Sequence, residues 1–387
     1  MEKTKVKNLA KQVRGVSYKP EDLHDSLDDD SVILLRANNI DDGKINFDDV
    51  VYVDKSKVSD EQYLKRGDVL ICASSGSKQL VGKAASIAFD SPCTFGAFCK
   101  VVRPSKDIAD YLGKYFQSDV YRRKISEVAI GANINNIRNE HIDSLELPIY
   151  ESEQAQKIVE KIGILQNIID NRKSELSKLD ELIKARFVEM FGDPRINPHG
   201  YETKELGKTC KVITGNTPSR KVSEYYGNYM EWIKTDNIVT GLLNPTEATE
   251  RLSESGSKEG RCVDENAILM ACIAGSIASI GRVCVTDRRV AFNQQINAIV
   301  PEQYNTLFLY ILLQISKGYL VEDINMALKG ILSKSKLEEK VFIVPPMELQ
   351  NQFLDYIKQV DKSKVVVQKA LDETQQLFDS LMQQYFG

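Results

Sequence analysis

The 387-residue sequence is 42% hydrophobic and 27% charged, ordinary values for folded domains, and its length suits about two or three domains of roughly 150 residues each. Its 51 Lys and Arg against 55 Asp and Glu leave a net charge of -4, which excludes a uniformly basic binder but leaves room for local cationic surfaces. Seven cysteines without a C-x-x-C pair read as reduced thiols of a cytoplasmic protein, three scattered histidines argue against a His-based metal site, and no apolar leader follows Met1.

In chain order, short β-rich runs at 32–35, 50–53, 69–73 and 98–102 are joined by Gly, Asp and Ser turns, and a helix is expected over 107–118. A long helix follows over 153–191. Ile158, Ile162, Leu165, Ile169, Leu176, Leu179 and Ile183 form a 4-3-4 apolar seam interrupted by Arg172. Asp193-Pro194 and Asn197-Pro198 stop this helix, because proline lacks an amide hydrogen and restricts the residue before it. The uncharged run 267–281 is shorter than the roughly 20 residues a bilayer requires and holds Gly275-Ser276 at its centre, so it reads as strand, turn, strand. A helix over 304–316 precedes Pro345-Pro346 and a second long helix over 348–386. The apolar seam of this helix, Phe353, Ile357, Val360, Val367, Leu371 and Phe378, is interrupted by Lys364 and Thr374.

The chain repeats itself. Residues 153–192 align without gaps on 348–387 at an offset of 195, with Glu153/Glu348, Ile162/Ile357, Leu176/Leu371, Leu182/Leu377 and Phe191-Gly192/Phe386-Gly387 identical. Arg36-Ala-Asn-Asn-Ile40 echoes Lys234-Thr-Asp-Asn-Ile238, Gly43 echoes Gly241, Gly76-Ser77 and Gly82-Lys83 echo Gly275-Ser276 and Gly281-Arg282, and Phe95 and Pro104 echo Phe292 and Pro301. The expected organisation is a globular module at 1–150, a helix at 151–192, a second module at 193–346 and a second helix at 347–387. Each module is mixed α/β. The fold class is α+β with a pseudo-twofold internal repeat, and the two long helices bury their seams in each other when they run antiparallel as a coiled coil.

Catalytic signatures are missing. Gly76-Ser-Lys-Gln-Leu-Val-Gly82-Lys83-Ala84 has one residue too many for a phosphate-binding loop, and Ala84 stands where a metal-binding hydroxyl belongs. No dinucleotide, metalloprotease or serine-hydrolase pattern occurs, nor the Asn/Asp-Pro-Pro-aromatic run of amino-methylating enzymes, so neither a catalytic residue nor a cofactor is expected. What remains are turns rich in amide, hydroxyl and cationic groups, the side chains that pair with base edges and phosphates. The candidates for DNA contact are Arg36, Asn38, Asn39, Ser74, Ser75, Lys78 and Lys83 in the first module. In the second they are Lys234, Asp236, Asn237, Arg282, Gln294 and Gln295. Arg122-Arg123-Lys124 reads as a phosphate-contacting patch. Plain alternatives stand beside these readings: Asn39 and Asn237 as turn formers, Lys83 and Arg282 as solvated strand ends, the basic triplet as a helix surface.

Taken together, Glu153-Gln-Ala-Gln-Lys-Ile-Val, Pro345-Pro-Met-Glu-Leu-Gln, Gly67-Asp-Val-Leu-Ile with Gly76-Ser and Val81-Gly-Lys, and Phe187-x3-Phe191-Gly-Asp-Pro194 with its truncated copy Tyr385-Phe-Gly387 carry a resemblance. Over nearly its whole length the chain resembles the DNA-specificity subunit of type I restriction–modification systems. That resemblance implies two target recognition domains, each reading one half of a bipartite, asymmetric site in double-stranded DNA. It also implies helices that set the unread gap, no cofactor, no membrane partner, and assembly with two methyltransferase subunits and with restriction subunits that do the chemistry. Asn266-Ala267 departs from the Gly-Asp of the first copy and puts a turn in doubt. Two other readings stay open: a non-DNA scaffold whose modules bind proteins or small ligands, and the specificity subunit of a combined cutting-and-modifying complex of another type.

Overall fold

The computed structural model describes residues 2–77, 79–89, 92–128, 135–322, 324 and 330–387. Its contacts divide the chain into two units, Met1–Ser174 with Gln368–Gly387, and Glu175–Val367. The long helices are α3 (Ser152–Phe191) and α5 (Met347–Phe386), so the unit boundaries fall inside both of them.

In the first unit, β1 (Ala10–Arg14), β2 (Leu23–His24), β3 (Ser31–Leu35), β4 (Val51–Asp54), β5 (Val69–Cys72), β6 (Ala84–Ser86), β7 (Cys93–Phe95) and β8 (Cys99–Pro104) form two four-stranded sheets, ordered β6-β5-β8-β1 and β7-β3-β4-β2. The first is antiparallel throughout, whereas β7 pairs in parallel with β3. Helices α1 (Ala109–Phe116) and α2 (Asp119–Val128) cover the outer face of the first sheet. Val69 and Ile71 point to these helices, while Leu70 and Cys72 point to the core shared with Leu35 and Phe95. A strand buried on both faces has no polar side to show, which is why its sequence is an unbroken apolar run.

The second unit repeats this plan. It contains β9 (Cys210–Thr214), β10 (Tyr226–Ile233), β11 (Arg251–Leu252), β12 (Cys262–Val263), β13 (Ile268–Ala271), β14 (Val283–Val285), β15 (Val290–Phe292) and β16 (Ile296–Pro301), with α4 (Thr306–Ile315) packed on the first sheet. The orders are β14-β13-β16-β9 and β12-β15-β10-β11, and β10 and β15 are again parallel. The uncharged run 267–281 supplies β13 and its turn, with β14 pairing back antiparallel from Ile268 to Val285. Peripheral strands differ: β2 extends the second sheet in one unit and β12 in the other, on opposite edges.

One buried contact was lost or gained between the copies. Asp68, 1% exposed, takes Nε and Nη2 of Arg103, 11% exposed, at 2.8 and 2.6 Å. Strand pairing of Val102 with Val69 and of Ile299 with Ile268 makes Ala267 and Val300 the matching pair in the second unit, where an apolar contact replaces the ion pair. The turn before it survives: Gly67 (φ 90°) and Asn266 (φ 65°) are both left-handed, a conformation asparagine tolerates better than other side chains.

The helix seam is present in each unit. Ile158 and Ile162 of α3 are buried with Met382 and Phe386 of α5 in the first. Phe187 and Phe191 of α3 lie 5.5 and 5.7 Å from Phe353 of α5 in the second, between ring centroids. Rising numbers on one helix meet falling numbers on the other, so the packing is antiparallel in both. Polar interruptions of the seam find partners on the other helix: Arg172 donates to Thr374 Oγ1 at 2.7 Å and to the Ala370 carbonyl, and Lys364 pairs with Asp180 beside the seam. Such polar contacts in a seam fix register at some loss of stability. No helix is long and apolar enough to cross a membrane among the described residues.

Candidate nucleic-acid interface

Because β3 and β7 are parallel, the segments leaving them emerge side by side. Gly96 N donates to Leu35 O (2.9 Å) and Val16 N to Phe95 O (2.7 Å), while the amides of Ala73 and Ser74 both donate to Phe98 O (2.9 and 3.0 Å). These bonds stitch four segments, around residues 16, 36, 74 and 97, into one surface. The approach is close: a Cβ on Gly15 would fall 2.1 Å from Gly96 O, so only glycine fits there. Between the segments lies an open cavity of about 710 Å³, lined among others by Tyr18, Arg36, Asn38, Ser74, Ser75 and Phe98.

The second unit builds the same frame. Asn293 N donates to Ile233 O (3.0 Å), Asn216 N to Phe292 O (3.2 Å), and Cys272 and Ile273 both donate to Gln295 O (2.8 and 3.2 Å). Gly215 repeats the close approach, its missing Cβ 2.1 Å from Asn293 O. The side chains differ. Gln294 and Gln295 stand where the first unit has Ala97 and Phe98, and the Thr217 hydroxyl bonds Gln294. Arg220 lies 4.5 and 5.2 Å from the ring centroids of Tyr226 and Trp232, and Lys234 Nζ lies 5.1 Å from that of Trp232. Glu250 accepts from both cations, and the Arg220 guanidinium holds its carboxyl below the ordinary range.

Each expected site residue has a definite place. Arg36 pairs with Asp49 at 3.0 Å, and Asn38 donates to the same carboxylate at 2.6 Å. Ser74 and Ser75 are half-buried, and Lys83 is half-buried just before β6. Lys78 lies outside the described residues. Asp236 and Gln294 are exposed, and Gln295 is half-buried with its Oε1 accepting from Asn293 at 3.1 Å. Arg282 reaches the carbonyls of Thr235 (3.1 Å) and Ser279 (3.2 Å), tying two of the converging segments together.

Two candidates and the basic triplet have partners within the chain. Asn39 is 1% exposed, and its amide is filled by Arg36 N (2.8 Å), Asn46 O and Asp49 O (both 2.9 Å). Asn237 repeats this with Lys234 N (2.9 Å), Thr246 Oγ1 and Glu247 O (both 3.2 Å). Buried and satisfied, both shape their loops. Within the triplet, Arg122 clamps the carbonyls of Val81 (2.7 Å) and Gln79 (3.0 Å), Arg123 donates to Gln383 (2.7 Å), and Lys124 donates to Glu146 O (2.9 Å). These cations hold the first unit together. Phe98, Tyr18, Thr217 and Arg220 lie on the two frames and were not among the expected residues. A usable signal existed for Phe98, an aromatic in the turn between two apolar strand runs.

Among the described residues no cluster of three or more His, Cys, Asp or Glu is placed to hold a metal ion. All seven cysteines are free thiols, and burial raises those of Cys272 and Cys284 to about 12.

Similarity to known proteins is strongest in the second module. The type I restriction modification DNA specificity domain matches residues 198–374. Over that segment the chain is similar to type I restriction–modification specificity subunits. It is 38% identical over 180 residues to the type I restriction enzyme EcoKI specificity subunit of Escherichia coli (strain K12), an alignment covering 46% of this chain and 39% of that one. The StySPI specificity subunit of Salmonella potsdam gives the same identity and coverage. The chain thus spans about two fifths of the length of these two relatives. To the MjaIX specificity subunit of Methanocaldococcus jannaschii it is 22% identical over 331 residues, 79% of this chain and 74% of that one. The fold is also that of a chain solved in work on complex assembly and conformational transition of the type I R-M system (16% identity, 99% and 97% of the two chains, TM-score 0.56). A type I restriction-modification S subunit from M. genitalium shares it as well (13% identity, 100% and 96%, TM-score 0.50).

Proposed function

We propose that this chain is a non-catalytic DNA-binding subunit that reads a bipartite, asymmetric target in double-stranded DNA. Residues 1–150 and 193–346 act as two target recognition domains, and the segments 151–192 and 347–387 act as the helices between them. The reading rests on one observation above others: the two modules present the same backbone frame but different side chains. Arg36, Asn38, Ser74 and Ser75 face one half-site, with Lys83 at the margin. Lys234, Asp236, Gln294 and Gln295 face the other, with Arg282 bracing the loops. Arg pairs bidentately with guanine, Asn and Gln with adenine, and a carboxylate accepts from cytosine, so unequal sets select unequal half-sites. The chemistry belongs to partners, two methyltransferase subunits and the restriction subunits, in the cytoplasm where thiols stay reduced. With a net charge of -4 the chain alone binds DNA weakly, and the partners supply much of the phosphate-neutralising charge.

The test is an exchange of residues 1–150 for the module of another family member, followed by methylation mapping of the assembled complex. One half-site changes and the other stays. If both change, or no two-part motif is found, the independent-reader function is refuted.

A further inference from the structure

The two turns that close the frame, each crossing from one sheet to the other, share a role and differ in chemistry. In the second unit the tip carries two amides, Gln294 and Gln295; in the first it carries Ala97 and Phe98. Phe98 is 72% exposed, whereas Phe95, at the end of the strand before it, is fully buried. The ring stands at the rim of the cavity with Arg36, Asn38, Ser74 and Ser75, the groups already assigned to base and phosphate contact. Its backbone is fixed on both sides, since Phe98 O accepts two amides and Cys99 N donates to Gly96 O at 2.8 Å. An apolar ring so held among polar readers matches the one apolar feature of the major groove, the C5-methyl group of thymine.

We infer that Phe98 is a specificity-determining residue of the first module, packing its ring on a thymine methyl at one position of that module's half-site. The second module, with amides at the matching place, has no such contact and reads a purine edge there instead. This rests on the proposed DNA-reading function and deepens it by naming a base and a reader. It also explains why an aromatic residue remains in water on this face: the ring is kept for a partner surface that is itself partly apolar.

The experiment uses the full chain assembled with its methyltransferase subunits, after the two-part motif has been mapped. Each thymine of the first half-site is replaced singly by uracil, which removes only the methyl group, and duplex affinity is measured at fixed salt. For the unaltered chain one position weakens about fourfold, the effect of withdrawing one buried methyl. Phe98→Ala binds the thymine duplex more weakly and loses the thymine-over-uracil difference at that position alone. Phe98→Gln shifts the mapped motif at one position of the first half-site and leaves the second unchanged. Thermal unfolding of both variants matches the parent, because an exposed ring carries little of the core.

Three results overturn the inference: no thymine in the first half-site, uracil effects equal in the parent and in Phe98→Ala, or a uniform loss of affinity for all sequences, which marks an unspecific wedge. Failure to find any two-part motif refutes the function itself, so the two failures are distinct.

Discussion

Asp68→Ala provides a sharp test of the energetics, because the second unit already contains the compensated version. Removing the carboxylate leaves Arg103, 11% exposed, without its bidentate partner, and an unpaired buried charge costs about 3–5 kcal/mol. At a slope of about 2 kcal/mol/M this lowers the urea midpoint of the first unit by roughly 2 M. Asp68→Ala with Arg103→Val recreates the Ala267–Val300 pair. Arg103 also donates to the carbonyls of Glu61 (3.0 Å) and Tyr63 (2.8 Å), and both then need water, so the double variant loses about 1–2 kcal/mol. The double variant is thus more stable than the single one. The chain has a single tryptophan, Trp232, which lies in the second unit, so its fluorescence is an internal control that does not move. Hydrogen exchange at 69–72 reports the first unit. A double variant no more stable than Asp68→Ala would refute the claim that an orphaned charge, rather than lost packing, dominates.

Further outcomes follow from individual contacts. Asn39→Ala and Asn237→Ala each remove three buried hydrogen bonds and destabilise their own unit by about 2–3 kcal/mol in urea unfolding, while the methylation motif of surviving complexes is unchanged. His24 Nδ1 lies 2.8 Å from Asp28, whose carboxylate raises the imidazole above the ordinary histidine range and is itself lowered. The histidine's stabilising share is therefore complete below its unfolded pKa and vanishes as pH rises through the raised value; that of Asp28 vanishes as pH falls through its lowered value. In a nuclear magnetic resonance titration, His24 has a midpoint above the ordinary value, and Asp28→Asn brings it down.

Much of the fold was legible because it is periodic. The 4-3-4 spacing of Ile158 to Ile183 and the apolar runs at 69–72 and 268–271 report burial directly, on one stripe of a helix or on both faces of a strand. The site was legible only in part, since a loop side chain's role depends on which way it turns. Asn38 and Asn39 are neighbours of the same residue type, yet one is exposed and the other buried. The better guide lay in the comparison of copies. Asn39 and Asn237 are identical and hold their loops, whereas Phe98 and Gln295 differ on a shared backbone. Spacing gave no hint that Arg172 faces Thr374, because that depends on the register between helices distant in sequence.

The contact of Gly15 with Gly96, repeated by Gly215 with Asn293, has an evolutionary corollary. Two backbones pressed this close, with no room for a side chain between them, hold the tip by main-chain contacts that do not depend on which residues occupy it. On the proposed function, replacing residues 97 and 98, or 294 and 295, retunes preference one letter at a time without rebuilding the domain, and a lineage under pressure to change its targets gains new ones by small edits.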